Sequence, residues 1–225
     1  GESQGKFATI QAAIDAAQAN DVIVLLKDIT ENVTITKDLT IDGKAEGATA
    51  NSKYTGTMTV NAKLNVTVQD IDFDKGCIND PGDAHGYLTI KNCNFDGVDK
   101  SIGYAVTVRG GDKLTIENST AKSYSTGMLY IPSSVANIVI KDVEVSNVAA
   151  AFNITYSGDG TFENVKVDNV TYGIHFQIYG SRTYTVKNCD LKGATNPFWF
   201  WDKSNNTAKV TVVFEGDNDL GTKGI

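Results

Sequence analysis

Short bursts of strict apolar–polar alternation recur along this chain. Ala105–Arg109, Met128–Pro132, Ala151–Thr155, Gly173–Gln177 and Pro197–Trp201 each begin one. Alternation sends Val106 and Val108, Leu129 and Ile131, Phe152 and Ile154, Ile174 and Phe176, and Phe198 and Phe200 to a common side. Between bursts, an Asn or Asp returns at Asp70, Asn92, Asn118, Asp142, Asn164 and Asn188, a spacing of 22 to 26 residues. A period in the twenties with period-two alternation inside it predicts an all-β solenoid. A repeat this short cannot bury an apolar face alone, so successive coils must stack. One domain over 1–225 is expected, with a cap helix at 5–20, coils at 21–215 and a polar tail at 216–225.

The recurring Asn or Asp reads as a corner between strands, because these residues tolerate turn geometry and bond to neighbouring backbone. Turn formers return five residues later at Gly43, Gly97, Ser123, Asn147, Asn169 and Gly193. The step from Asp38 to Asp70 is long, which predicts that Lys44–Tyr54 loops out. The Ala-rich run from Phe7 to Asn20 places Phe7, Ile10, Ile14 and Ala17 on one stripe, the pattern of an amphipathic helix. It is positioned to plug the first coil, and its removal is expected to uncover Val22, Val24 and Leu26.

The opening Phe7-Ala-Thr-Ile-Gln-Ala-Ala-Ile-Asp-Ala-Ala, with Asp21-Val-Ile-Val-Leu, Glu31-Asn-Val-Thr-Ile and Leu39-Thr-Ile-Asp-Gly43, resembles the start of pectin-lyase-like right-handed β-helix proteins. The cap and first coil carry the resemblance specifically, and the later coils carry it by repeat style. It implies a right-handed parallel β-helix of roughly eight coils with three short sheets, of the kind found in bacterial or phage surface proteins. It implies a fold far more than an activity. Gln69-Asp70 is similar to part of a methylesterase motif, but Asp70 belongs to the corner series and that family's other motifs are missing.

Charge narrows the partners. A net charge of −7 with two arginines argues against nucleic acid, whose phosphates require a basic face. No apolar run in the sequence is long enough to span a bilayer. The Thr-, Asn- and Gly-rich composition suits an extracellular or surface-exposed protein. Cys93 and Cys189 share a repeat position four coils apart, roughly 19 Å by strand spacing and too far to bridge. Cys77 lies one coil from Cys93, and pairing between them is open.

Candidate chemistry lies on the outward side of the alternating bursts. One column runs Thr107, Tyr130, Asn153, His175, Trp199, and its neighbour runs Arg109, Pro132, Thr155, Gln177, Trp201, with Tyr156 and Tyr179 just beyond. Stacked in a parallel sheet, these groups make a strip suited to a polysaccharide or glycan, whose ring faces pack on aromatics while its hydroxyls take planar hydrogen bonds. Two outward tryptophans mark either a contact surface or packing beneath the 202–206 loop. If they are a contact surface, replacing both with alanine leaves stability nearly unchanged. Arg109 and His175 are too far apart to act on one atom, and the strip holds no acidic pair of the kind a glycosidase uses. Asp72, Asp74, Asp80 and Asp83, with His85 nearby, form a calcium candidate; no other cofactor is expected. The favoured reading is a non-catalytic glycan-binding module. The alternatives are a structural subunit that assembles with identical copies, and a degenerate lyase or hydrolase.

Overall fold

The computed structural model describes residues 5–61, 63–82, 86–155, 157–205 and 207–222. A short helix, α1 (Ile10–Ala16), precedes the coils. The first two coils contribute β1 (Asp21–Val24), β2 (Ile29–Thr30), β3 (Val33–Ile35), β4 (Leu39–Asp42), β5 (Ser52–Thr55) and β6 (Thr57–Val60). The next two contribute β7 (Asn65–Gln69), β8 (Ile71–Asp74), β9 (Cys77–Asp80), β10 (Tyr87–Lys91), β11 (Asn94–Asp96) and β12 (Tyr104–Val108). Then come β13 (Lys113–Lys122) and β14 (Gly127–Ile131), followed by β15 (Val135–Ile154) and β16 (Ser157–Ile178), which run around their coils almost without interruption. The chain closes with β17 (Arg182–Lys187), β18 (Ala194–Asp202) and β19 (Val210–Glu215).

Each strand pairs in parallel with the strand one coil away, giving about eight coils with three faces. The register is that of the alternating bursts. One inward ladder on the third face runs Val33, Met58, Ile78, Val106, Leu129, Phe152, Ile174, Phe198. All eight are buried, so every coil adds one apolar rung to a continuous core.

The corners also follow the repeat. Asp70, Asn92, Asn118, Asp142, Asn164 and Asn188 all take left-handed backbone, with φ between 48° and 54°. Asn and Asp tolerate that region better than other side chains. Their side chains also link coils: Asn92 Nδ2 donates to Asp70 Oδ1 at 3.1 Å, and Asn164 Nδ2 to Asp142 Oδ1 at 2.7 Å. At the second corner Ser123, Asn147 and Asn169 are left-handed too. Gly43, Gly97 and Gly193 are needed there for a different reason, since a Cβ on any of them would collide with a carbonyl of an adjacent coil.

Several expectations need correction. The cap helix spans Ile10–Ala16 rather than 5–20, and Phe7 is exposed outside it. Its brevity is offset by contacts from the first coil. The Glu31 carboxylate accepts the N–H groups of Ile10 and Gln11, and Lys37 Nζ donates to the carbonyls of Ile14, Asp15 and Ala17. Both orphaned helix ends are thereby satisfied. The looped-out insertion stops short of Tyr54, because Ser52–Thr55 is a strand and Tyr54 is wholly buried. Asp80 belongs to β9 rather than to a loop and is buried. Cys77, Cys93 and Cys189 are all free.

Val22, Val24 and Leu26 are exposed with the helix in place, because they face outward; Val22 and Val24 align with Thr40 and Asp42. The residues facing inward are Ile23 and Leu25. The Gln11 side chain meanwhile bonds both ways to the Thr34 backbone, occupying part of the β3 edge. Deleting residues 1–20 is therefore expected to expose the first inward rungs and leave that edge open, producing aggregates in size-exclusion chromatography. A soluble, monomeric deletion would show that the first coil protects itself.

Candidate functional site

The outward side of the third face carries the predicted column in register. Thr107 opposes Tyr130, Tyr130 opposes Asn153, Asn153 opposes His175, and His175 opposes Trp199, while Gln177 opposes Trp201. The column does not form one uniform strip. It divides into two aromatic groups and one small cavity.

In the lower group Tyr130 stacks on Tyr104 with ring centroids 5.0 Å apart, and Asn153 Nδ2 donates to the Tyr104 hydroxyl at 3.1 Å. In the upper group His175 lies 4.2 Å from Trp199, with the planes 17° apart, and Tyr172 stacks on Trp199 at 4.4 Å. The rings of Trp199 and Trp201 are parallel within 6°, with centroids 6.3 Å apart. That separation matches two residues of strand rise, about 6.6 Å, so the indoles lie side by side rather than face to face. They form a platform on the last rung of this face. Trp199 is 39 % exposed and Trp201 44 %, and Lys203 Nζ sits 3.4 Å over the Trp201 ring.

His175 does not share that exposure. It keeps the predicted outward direction but is only 5 % accessible, because the Tyr172 and Trp199 rings cover it. Burial lowers its pKa below the ordinary histidine value and favours the neutral imidazole. Trp199 thus has a packing role as well as an exposed face, which revises the expectation that both tryptophans can be removed without loss of stability.

Among the described residues, three side-chain atoms here are buried without a hydrogen-bond partner: Asn153 Oδ1, Thr155 Oγ1 and His175 Nε2. Thr155, with Ser157, Gln177, Tyr179 and Arg182, lines a cavity of about 90 Å³ at the end of the face. Arg182 is occupied with backbone there, its Nε donating to the Ser157 carbonyl and its Nη1 to that of Ser181. Arg109 is exposed at the far end of the column, three rungs below His175, and joins neither group. Tyr156 lies outside the described residues.

Tyr104 and Tyr172 belong to the site although alternation did not reveal them. Each stands three residues before a column member, Thr107 or His175. Within each strand two consecutive residues are buried, Ala105–Val106 and Gly173–Ile174, which breaks the alternation. Period-two counting fails across such a break; the recurrence of tyrosine at one offset was the usable signal.

The calcium candidate is divided. Asp72 and Asp74 lie on β8, where Asp72 Oδ1 accepts from Asn51 Nδ2 and Asn94 Nδ2. Asp80, on β9, accepts from the Gly82 N–H. Asp83 and His85 lie outside the described residues. Among the described residues no three His, Cys, Asp or Glu side chains gather as a metal-binding group.

Residues 81–215 match the family model described as a right-handed β-helix region. The chain belongs to the right-handed β-helix family. The match covers the coils bearing the aromatic groups, so the handedness implied by the opening residues holds for the portion that carries the site. No curated protein matches the β-helix. Among its described residues no helix is long and apolar enough to cross a membrane.

Proposed function

We propose that this β-helix is a non-catalytic, surface-exposed module that binds glycan on the outward side of its third face. The observation that carries this reading is the side-by-side pair Trp199 and Trp201, exposed at the last rung and backed by His175 and Tyr172. Large flat aromatic surfaces supply contact area at low conformational cost and suit the apolar faces of sugar rings. The neighbouring amides, hydroxyls and imidazole offer hydrogen bonds to the sugar edges. The outward column contains no carboxylate, so general acid–base cleavage of the bound chain has no obvious agent there. A glycan array, followed by tryptophan-fluorescence titration of the hits, tests the proposal. Binding with a change in indole emission is expected; hits that leave the indoles unperturbed would place any glycan site elsewhere.

A second reading is favoured by the end of the stack. Among the described residues, β18 pairs only with β16 and β19 only with β17. The inward-facing Phe200 and Phe214 are consequently 37 % and 39 % exposed. Phe200 was expected in the core, but among the described residues no strand pairs over it on the far side. An open edge with apolar side chains is a template for another strand. If identical subunits meet there, sedimentation velocity should show concentration-dependent dimerisation that Phe200→Lys abolishes. A parent protein that stays monomeric across the concentration range would leave the glycan reading alone.

A further inference from the structure

The unpartnered atoms beneath the indole platform point to the chemical class of the glycan. Asn153 and His175 oppose each other on adjacent rungs, about 4.8 Å apart in the ladder, and Thr155 lies two residues along the strand from Asn153, about 6.6 Å. Their free atoms, Asn153 Oδ1, Thr155 Oγ1 and His175 Nε2, are the buried side-chain polar atoms without a partner among the described residues. Leaving such a group unsatisfied is unfavourable, because it has given up water without gaining a partner. Three of them on one outward patch, beside a cavity that Thr155 itself lines, form an unfilled polar set.

We infer that this set is a subsite for an uncharged hydroxyl of the ligand, so that the β-helix takes a neutral polysaccharide in preference to an acidic or amino one. The inference rests on the glycan reading. Asn153 Oδ1 can only accept, whereas Thr155 Oγ1 and the neutral imidazole can complement a partner that both donates and accepts. A hydroxyl does both. A carboxylate has no proton for Asn153 Oδ1, and the net charge of −7 opposes a polyanion. An ammonium group would be desolvated without a counter-charge, since the column Thr107, Tyr130, Asn153, His175, Trp199 contains no acid. Arg182 lines the same cavity, but two of its nitrogens are held by backbone carbonyls. The Tyr172 and Trp199 rings cover His175, and the ligand hydroxyl approaches from the cavity, which Thr155 alone of the three residues lines.

Calorimetric titration tests this with matched oligosaccharides: neutral hexoses, a uronic acid and an amino sugar of the same length. The parent should bind the neutral probe at least ~10-fold more tightly than either charged one. Thr155→Val and His175→Phe should each weaken the neutral probe by ~3–10-fold, the size of one net hydrogen bond. Their melting temperatures should be unchanged or higher, because each removes an unsatisfied buried polar atom. Equal or tighter binding of a charged probe overturns the inference. So do variants that bind as the parent does, which would mean that the three atoms hold only water. In both cases a loss of binding in Trp201→Ala would leave the glycan reading standing. A parent that binds no probe removes both together.

Discussion

Ile174→Asp should prevent this β-helix from folding. Ile174 is completely buried, with Phe152 on the rung below and Phe198 on the rung above. A carboxylate there has no described polar partner among its ladder neighbours. It must either remain charged in an apolar interior or take up a proton at a pH far above its ordinary value, and both routes cost several kcal/mol. The defect is not local, since each coil is stabilised mainly by the next and a broken rung separates two short stacks. Circular dichroism should show lost β-structure, or the protein should be recovered as aggregate. Ile174→Val at the same position should cost only about 0.5–1.5 kcal/mol and melt cooperatively. An Asp variant melting like the parent would mean that the register of the third face is wrong by one residue.

The second large effect is expected on binding, from replacing Trp199 and Trp201 together with alanine. Central aromatic anchors commonly carry 2 kcal/mol or more each, equivalent to a loss of about 30-fold or greater. The double variant should therefore show no measurable glycan affinity. Its stability should divide unequally between the two sites. Trp201 is the more exposed of the two and lies more than 6 Å from the His175 and Trp199 ring centres, so its removal should stay within about 0.5 kcal/mol. Trp199 stacks on both His175 and Tyr172 and covers the imidazole. With roughly 0.5–1.5 kcal/mol for each aromatic pair, its removal should lower the melting temperature by several degrees. Separate melts of the single variants check the division. If Trp201→Ala proves as damaging as Trp199→Ala, the platform is chiefly a cap on the last coil. Retention of full affinity by the double variant would remove the main support for the glycan reading.

The repeat was legible because its causes are local. An inward apolar side chain is needed at every second strand position, and a corner needs a residue that accepts left-handed backbone. Ile174 and Phe152 were assigned to the core on the first ground, and Asn92 and Asn164 to corners on the second. The column from Thr107 to Trp199 followed from the same phase. Failures occurred where a residue's surroundings are set by the coil above or below. Alternation directed Phe200 inward correctly, but burial also requires a rung on its other side, and among the described residues no strand after β18 pairs with it. Val22 and Val24 were misjudged because alternation alone does not say which of two apolar sets faces the core; pairing with Leu39, Thr40, Ile41 and Asp42 settles it.

By itself, then, the sequence determined the solenoid, its corners, the inward ladder and the presence of a capping helix, because each depends on spacing along the chain. Tertiary structure decided what the outward residues do. It brought Trp199 over both Tyr172 and His175, burying the imidazole, and set Arg109 apart from the group to which it was first assigned. It also left Asn153, Thr155 and His175 with unmatched polar atoms. Those outcomes depend on contacts between coils more than twenty residues apart. The period of the chain predicts that such residues meet, but how their rings and polar atoms share the available space is settled only by packing.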